Sequence, residues 1–443
     1  MKQFLGDLRR YGRMILVVCL VGATVYWWLQ RGKAQQVYVL PGRDSLIALN
    51  GGVAYLSRTE VSGGDKLIRQ PGRRKLVLRH APRIGATIVT AVPMSGAHGA
   101  PSGATQIFNL PNVLQTQVGD NGIYFLQSVT DIKVARALPT AAPTGGGSQS
   151  ATDGGQTGEH PVLQALIERV PLGGGAPQEI SRVAIPMNND QPAIGDPLTI
   201  SGSTVYLLEP SGLSDPKPPA NRGSRRDDNT DQTAQLAVRI LDENKHNFRT
   251  VTEIPARSRL LAGRAGVYWW SAASDHSARE LYFIDNAQPT PRLVLRLTSN
   301  RIPDFAEGDN GRIYYTRDVP DAHQPPTGQR KHHSEVWVAD GASQHQIASI
   351  PTNMQIGGGL FEFHHGSVYF PVVKPGPQAT HVNFLYRINL SRPTACEAVC
   401  SLPEEASGDL IDGNEFYFIS TDRRETDRGI EIVRALYRYT LPD

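Results

Sequence analysis

Cysteine is scarce in this chain, with three residues in 443, Cys19, Cys396 and Cys400. That excludes a disulfide-stapled scaffold. Net charge is nearly absent too. The chain has 45 Lys and Arg against 42 Asp and Glu, so its global field selects no partner. Catalytic signatures are also missing, with no Gly-x-Ser-x-Gly elbow, no His-Glu-x-x-His pair and no phosphate loop. No motif implies a cofactor. Apolar runs long enough for a membrane are missing except for one near the N-terminus.

Turn residues are abundant, with 43 Gly and 32 Pro, as suits a turn-rich all-β chain. Among them one phrase recurs, a turn residue followed by a short apolar strand centred on a tyrosine. Gly311-Arg312-Ile313-Tyr314-Tyr315 is its clearest copy, and the other centres are Tyr55, Tyr124, Tyr206, Tyr268, Tyr369 and Tyr417. The strands are apolar on both faces, as in Ile123-Tyr124-Phe125-Leu126 and Val267-Tyr268-Trp269-Trp270. A strand of that kind must be covered on both sides. Blades packed around a ring supply such cover.

An aliphatic-proline pair precedes most copies: Leu40-Pro41, Leu110-Pro111, Ile185-Pro186, Ile254-Pro255, Ile350-Pro351 and Leu402-Pro403. Proline cannot donate a ladder bond, so it suits the end of an outer strand. A third strand type lies between the two, for example Phe384-Leu385-Tyr386-Arg387-Ile388. Each unit therefore reads a, b, c, d, where b carries the tyrosine and d ends at the proline. The chain stops after a c strand near Leu441, and the missing d strand stands at the other end as Val37-Tyr38-Val39-Leu40-Pro41. The prediction is an all-β, seven-bladed β-propeller over residues 36–443, closed by N- and C-terminal strands in one blade. An irregular β-sandwich is the competing architecture. The repeat resembles TolB-like and LDL-receptor-like propellers, whose units also read as an aromatic strand followed by a Leu-Tyr-Arg-like strand. That resemblance implies the fold class and leaves function open.

Residues 1–13 read as a basic cytoplasmic tail, with Lys2, Arg9, Arg10 and Arg13 against Asp7. Residues 14–30 read as a transmembrane signal-anchor helix, its uncharged core running from Met14 to Leu29. Such a helix spans ~24 Å before its snorkelling flanks are added. Tyr26, Trp27 and Trp28 suit the interfacial belt, and the basic flank places the N-terminus inside. Residues 31–35 are a short linker, and the propeller is then extracytoplasmic, periplasmic or on the cell surface. A cleaved signal peptide ending near Gly32 and Ala34 is the alternative. A linker this short, ~18 Å at most, holds the a–b/c–d end of the ring near the bilayer.

The long insertions fall between b and c, for example residues 58–85, 139–160, Pro216 to Thr233, and Asp318 to Ser334. The stretch with Gly145-Gly146-Gly147-Ser148 reads as disordered linker. Within 58–85 eight bases face two acids, and Arg69, Arg73, Arg74, Lys75 and Arg79 form a candidate binding patch. No aromatics interleave it, so no nucleic-acid partner is expected. His332-His333 and His364-His365 fall at opposite ends of the ring and cannot share a metal ion. Asp227-Asp228-Asn229-Thr230-Asp231 opens like a calcium loop, but Gln232 replaces the needed glycine. The turns Asp120-Asn121-Gly122 and Asp309-Asn310-Gly311 read as tight hairpins needing positive φ. Cys396 and Cys400 are a possible disulfide if a bulge shortens their separation. Asp196, Asp304, Glu362 and Asp409 sit on or beside a strands and are candidates to line the channel.

These features predict a membrane-anchored, non-catalytic binding module that recognises a protein or glycan through its b–c loops. A propeller enzyme, a glycan hydrolase or lyase working in the channel, is the alternative, and a passive envelope scaffold is a third.

Overall fold

The computed structural model describes residues 34–442, except for 61–65, 70–75, 80–84, 95–102, 130–161, 212–234, 321–331, 376–380 and some shorter breaks. The anchor segment, the glycine-rich stretch and the Asp227–Asp231 run lie outside the described residues. Seven antiparallel sheets of four or five strands follow one another around a ring. Strand order is a-b-c-d in each. Blade 5, for example, runs Phe305–Glu307, Ile313–Pro320, His332–Asp340, Ser343–Ser349. Among the described residues no helix is long and apolar enough to cross a membrane.

The first strand closes the ring. Gln35–Val39 pairs antiparallel with Gly429–Thr440 in the register Gln35↔Arg438, Tyr38↔Leu436, Val39↔Ala435. The seventh blade is thus built from both chain ends, as the sequence predicts. This strand enters at the a–b/c–d end, where Thr440 and Leu441 also finish.

Seven apolar clusters divide the core, and each joins two neighbouring blades. Tyr124 of blade 2 packs with Leu198, Ile200, Val205 and Leu207 of blade 3. Tyr206 packs with Val267, Trp269 and Ile284 of blade 4, and Tyr268 with Ile313 and Tyr315 of blade 5. Tyr314 meets Phe363, Val368 and Phe370, Tyr369 meets Phe416 and Phe418, and Tyr417 meets Leu46, Ala54 and Leu56. Tyr55 meets Ile123 and Phe125, which completes the circle. The recurring phrase is now explained. Its tyrosine faces the next blade, and the two residues beside it face the preceding one. Burial of such side chains is the dominant stabilising term.

The aliphatic member of the Leu/Ile-Pro pair is buried in the same interfaces, as with Leu40, Ile185, Ile254, Ile350 and Leu402. Blade 4 lacks the proline, yet its Leu297 is buried likewise. The packing is close where a tyrosine ring lies over the end of strand a. A Cβ added at Gly263 would stand 2.5 Å from the Tyr268 ring and 2.7 Å from a Glu307 carboxylate oxygen. Gly263→Ala is therefore expected to destabilise the protein by about 1–3 kcal/mol. Gly173→Ala, with nothing near its Cβ, is expected to stay within about 0.5 kcal/mol of the parent. Urea unfolding of both variants checks the contrast, and equal midpoints would refute the packing argument.

Candidate functional site

Strand a of every blade presents one open edge to the central channel. Its unpaired backbone groups need partners, since a buried one left unmet costs about 1–3 kcal/mol. The structure supplies them from neighbouring blades. Gln115 of blade 2 is the fullest case. Its amide accepts from the Leu198 N–H at 2.9 Å and donates to the Leu198 carbonyl at 2.7 Å. Asn50 donates to the Gly119 carbonyl at 3.5 Å, and Ser201 donates to the Gly263 carbonyl at 3.0 Å. The Asp120 N–H donates to the Gly202 carbonyl at 2.9 Å. A belt of turn-to-turn hydrogen bonds thus runs along the a–b end of the channel.

Ionisable groups gather in this belt at blades 4 to 7, which is the candidate site. Arg264, in the a–b turn of blade 4, donates through its backbone N–H to Glu307 at 2.8 Å and pairs with Asp309 at 3.0 Å. It also reaches over blade 5 to blade 6, donating to the Phe363 carbonyl at 3.3 Å with its guanidinium 5.7 Å from the Phe363 ring centre. Glu362, half-buried on strand a of blade 6, accepts from the backbone of Ile411 in blade 7. Burial pushes its carboxyl up to about 7, against the pull of that hydrogen bond and of Arg264. His364 bonds to the backbone of Gly413, and its ring stands perpendicular to that of His365 at 4.1 Å. Burial, then the adjacent His365, hold the His364 imidazole below its ordinary value, and its Nε2 is enclosed without a hydrogen-bond partner. His365 itself has a positive φ of 42° in the turn. Among the described residues no group of three His, Cys, Asp or Glu side chains is placed to hold a metal.

The arrangement is one of structural caps first. Glu362 and His364 each bond to the backbone of blade 7 rather than to one another. Among the described residues of this cluster no nucleophile is hydrogen-bonded to a general base. What the cluster has to offer chemistry is a carboxyl that titrates near neutrality beside an arginine and an imidazole.

The other candidates scatter. Asp196 pairs with Arg259 at 2.9 Å, between blades 3 and 4. Asp304 lies near Arg301 and Asp318 at the opposite end of blade 5, where Ser334 donates to Asp318 at 3.2 Å. The Asp409 side chain is outside the described residues. His333 starts the c strand of blade 5 beside Glu335, and His364 ends strand a of blade 6, so the two histidine pairs do stand at opposite ends. Arg69 and Arg79 lie on a two-stranded hairpin, Lys66–Arg69 with Leu76–Arg79, inside the b–c connection of blade 1. Arg73, Arg74 and Lys75 lie outside the described residues.

Two expectations are corrected. Cys396 and Cys400 are not joined in a disulfide, although a bulge at Val399 lies between them. The Cys396 thiol, pushed up to about 12 by burial, is correspondingly unreactive. Positive φ is absent at Asp120 and Asn121. Asn121 is there to accept the Tyr124 hydroxyl at 2.6 Å, whereas Gly311 does need its φ of 74°. The residues that sequence reasoning missed include Asn50, Gly119, Ser201 and Gly263, each five before its tyrosine. Aligning the seven phrases on their tyrosines would have found them.

Glu362 gives a pH prediction. Between its ordinary value of 4.5 and about 7 the folded chain holds a proton that the unfolded chain has released. Stability therefore falls as pH rises through that window and is level above it. Urea midpoints measured at pH 5 and pH 8 should differ less in Glu362→Gln than in the parent. An unchanged difference would show that the carboxyl is not displaced.

No protein-family profile matches the chain, and no curated protein matches it in sequence. Solved structures do. An acylaminoacyl peptidase from Pyrococcus horikoshii is 9% identical with a TM-score of 0.48, over 90% of this chain and 52% of that one. The chain thus spans about half the length of that peptidase. The propeller domain of the trilobed protease from Pyrococcus furiosus, described as having an open velcro topology, is 11% identical with a TM-score of 0.48, over 90% of this chain and 98% of that one. An oligogalacturonate lyase from Vibrio parahaemolyticus is 8% identical with a TM-score of 0.40, over 93% of this chain and 99% of that one. At these identities the likeness concerns the propeller fold alone.

Proposed function

We propose that the propeller is a binding module, held at a membrane by its N-terminal segment, that recognises a partner protein or glycan through its b–c end. The observation that carries this reading is the asymmetry of the two ends. At the a–b end strands are joined by tight turns, Gly51-Gly52, Asp120-Asn121, Gly202-Ser203, His365-Gly366 and Gly413-Asn414. That end is taken up by interblade caps. At the b–c end a separate hairpin is inserted in blade 1, and the b and c strands of blade 7 run to 12 residues each. Solvated connections tolerate such growth, and function collects there. The entry of the first strand at the a–b/c–d end supports an orientation in which the b–c end points away from the lipid.

A propeller enzyme acting on a glycan in the channel is the second reading. It is favoured by Glu362, whose carboxyl titrates at about 7 beside Arg264 and His364. Glycan cleavage by the intact chain that Glu362→Gln abolishes would establish it.

Pull-down from membranes tests the first reading. Partner recovery is expected to fall at least tenfold when the b–c connections of blades 1, 2, 3, 5 and 7 are shortened to tight turns. It should be unchanged when Arg264 is replaced by alanine. Full recovery with all the b–c connections trimmed would sink it.

A further inference from the structure

Blade 5 carries near its b–c end a group of side chains that neither the channel nor the interblade caps employ. Its strands pair there in the register Tyr315↔Trp337 and Arg317↔Glu335, and Gln346 of strand d lies opposite Trp337. Residues directly opposite one another share a face. Trp337 packs against the cluster that holds Tyr315 and Leu297, so this face is turned toward blade 4.

The Trp337 ring is half-buried and is fixed at one edge. Its indole N–H donates to Glu335 Oε2 at 2.8 Å, and Glu335 Oε1 lies 3.3 Å from His333 Nε2. Glu335 is itself buried, so both of its oxygens are engaged within the blade.

Opposite charges that face one another across a ladder ordinarily pair. Arg317 and Glu335 do not. Arg317 lies instead over the Trp337 ring, 5.1 Å from its centre. It is exposed, and among the described residues its guanidinium has no hydrogen bond or ion pair. Arg239 and Arg301 do have carboxylate partners, in Glu209 and Asp318. The Gln346 amide is exposed and unpartnered in the same sense as Arg317. An oriented aromatic ring thus stands beside a cation and an amide that have nothing to bind.

We infer that this face binds an acidic glycan, with a uronate pyranose on the Trp337 ring, its carboxylate on Arg317 and a hydroxyl on Gln346. The flat C–H face of a pyranose matches an indole, and its hydroxyls need a neighbour that both donates and accepts, as an amide does. A guanidinium takes a carboxylate in a bidentate fork, a stronger contact than stacking on an exposed ring. Arg317 therefore turns from the indole to the sugar when the ligand arrives. Because Glu335 holds the ring edge, the platform is set before binding. An extended peptide suits the place less well. Strand c is paired on both sides from Glu335 to Ala339, so no backbone edge is open here and recognition falls to side chains. The inference rests on the reading of the b–c end as the binding surface and adds the class of ligand and the residues that hold it.

The probes are tetramers of galacturonate, of mannuronate and of a glucuronate-containing glycan, titrated against the full chain in detergent. Cellotetraose is the neutral arm and polyglutamate the acidic-peptide arm. At least one uronate should saturate the chain. Arg317→Gln should weaken it at least tenfold, and Gln346→Ala about threefold. Both side chains are exposed and unpartnered, so these variants should keep the parent's urea midpoint. Indole N–H resonances supply a second readout on the parent itself: the signal that Trp337→Phe removes should shift during the titration. The proposal is overturned if none of the uronates saturates, if Arg317→Gln keeps the parent's affinity, or if the Trp337 signal stands still. Cellotetraose bound as tightly as the best uronate overturns it too, as does polyglutamate bound as tightly with the same dependence on Arg317. If these fail while trimming the b–c connections still abolishes partner recovery, the surface assignment stands and only this glycan site falls.

Discussion

The fold depends on one strand type being apolar on both faces. In strand b the tyrosine buries itself against the next blade, and the residues on either side of it bury themselves against the preceding one. No blade completes its own core, because each cluster draws from two. A linear stack would leave two unpaired faces and a ring leaves none. Pairing Gln35–Val39 with Gly429–Thr440 locks that ring across its joint, by placing one chain end's strand in the other end's sheet. The cluster that includes Tyr417 and Leu46 forms on the same joint.

A ring solved in this way leaves a second problem on its axis. Seven inner strands have open edges facing the channel, and each needs donors and acceptors. The chain meets the need with different side chains in equivalent places. Gln115 both accepts and donates, so one amide serves the N–H and the C=O of Leu198. Glu307 and Glu362 can only accept while ionised, and each takes one N–H, from Arg264 and Ile411. For Glu362 the cap comes at a cost in desolvation, which is why its carboxyl titrates near neutrality. Carboxylates converging on a propeller channel look catalytic in a sequence, yet here their first partners are backbone amides.

This is also where legibility divides. The tyrosines and the aliphatic-proline pairs mark the blades in the sequence because packing against two neighbours demands particular side chains at fixed places. Leu40, Ile254 and Leu402 were visible for that reason, and so was the closure by Val37-Tyr38-Val39. The caps were not visible because the demand at each inner edge is only for some polar atom. Asn50, Ser201 and His364 meet it with unlike groups, so no motif survives in composition. Arg264 was illegible for another reason: its partners Asp309 and Phe363 come from two other blades, and only the ring brings them together. The separation of the histidine pairs was legible because strand alternation fixes which end of the disc each occupies. The Cys396–Cys400 bond failed because one extra residue at a bulge does not turn the strand back on itself.

The two ends of the disc therefore carry unequal freedom. At the a–b end a turn residue is tied to a neighbour: Gly119 and Gly263 lie beneath tyrosine rings, and Asp120 donates its N–H to Gly202. Lengthening such a turn would break a cap or a packing contact, at about 1–3 kcal/mol for each. At the b–c end the blade 7 hairpin runs on past the ends of strands a and d, and lengthening a solvated connection costs little more than loop entropy, about 0.6 kcal/mol per doubling. Insertions accumulate where they are cheap, and that alone would explain their position. It does not explain their content. A solvated extension needs only polar residues, whereas among the described residues blade 7 places the 67%-exposed Ile432 beyond the ends of strands a and d. An unprotected edge of that kind is an aggregation liability that proteins normally blunt. Its retention at the end where the connections are long fits the proposed reading of that end as a binding surface.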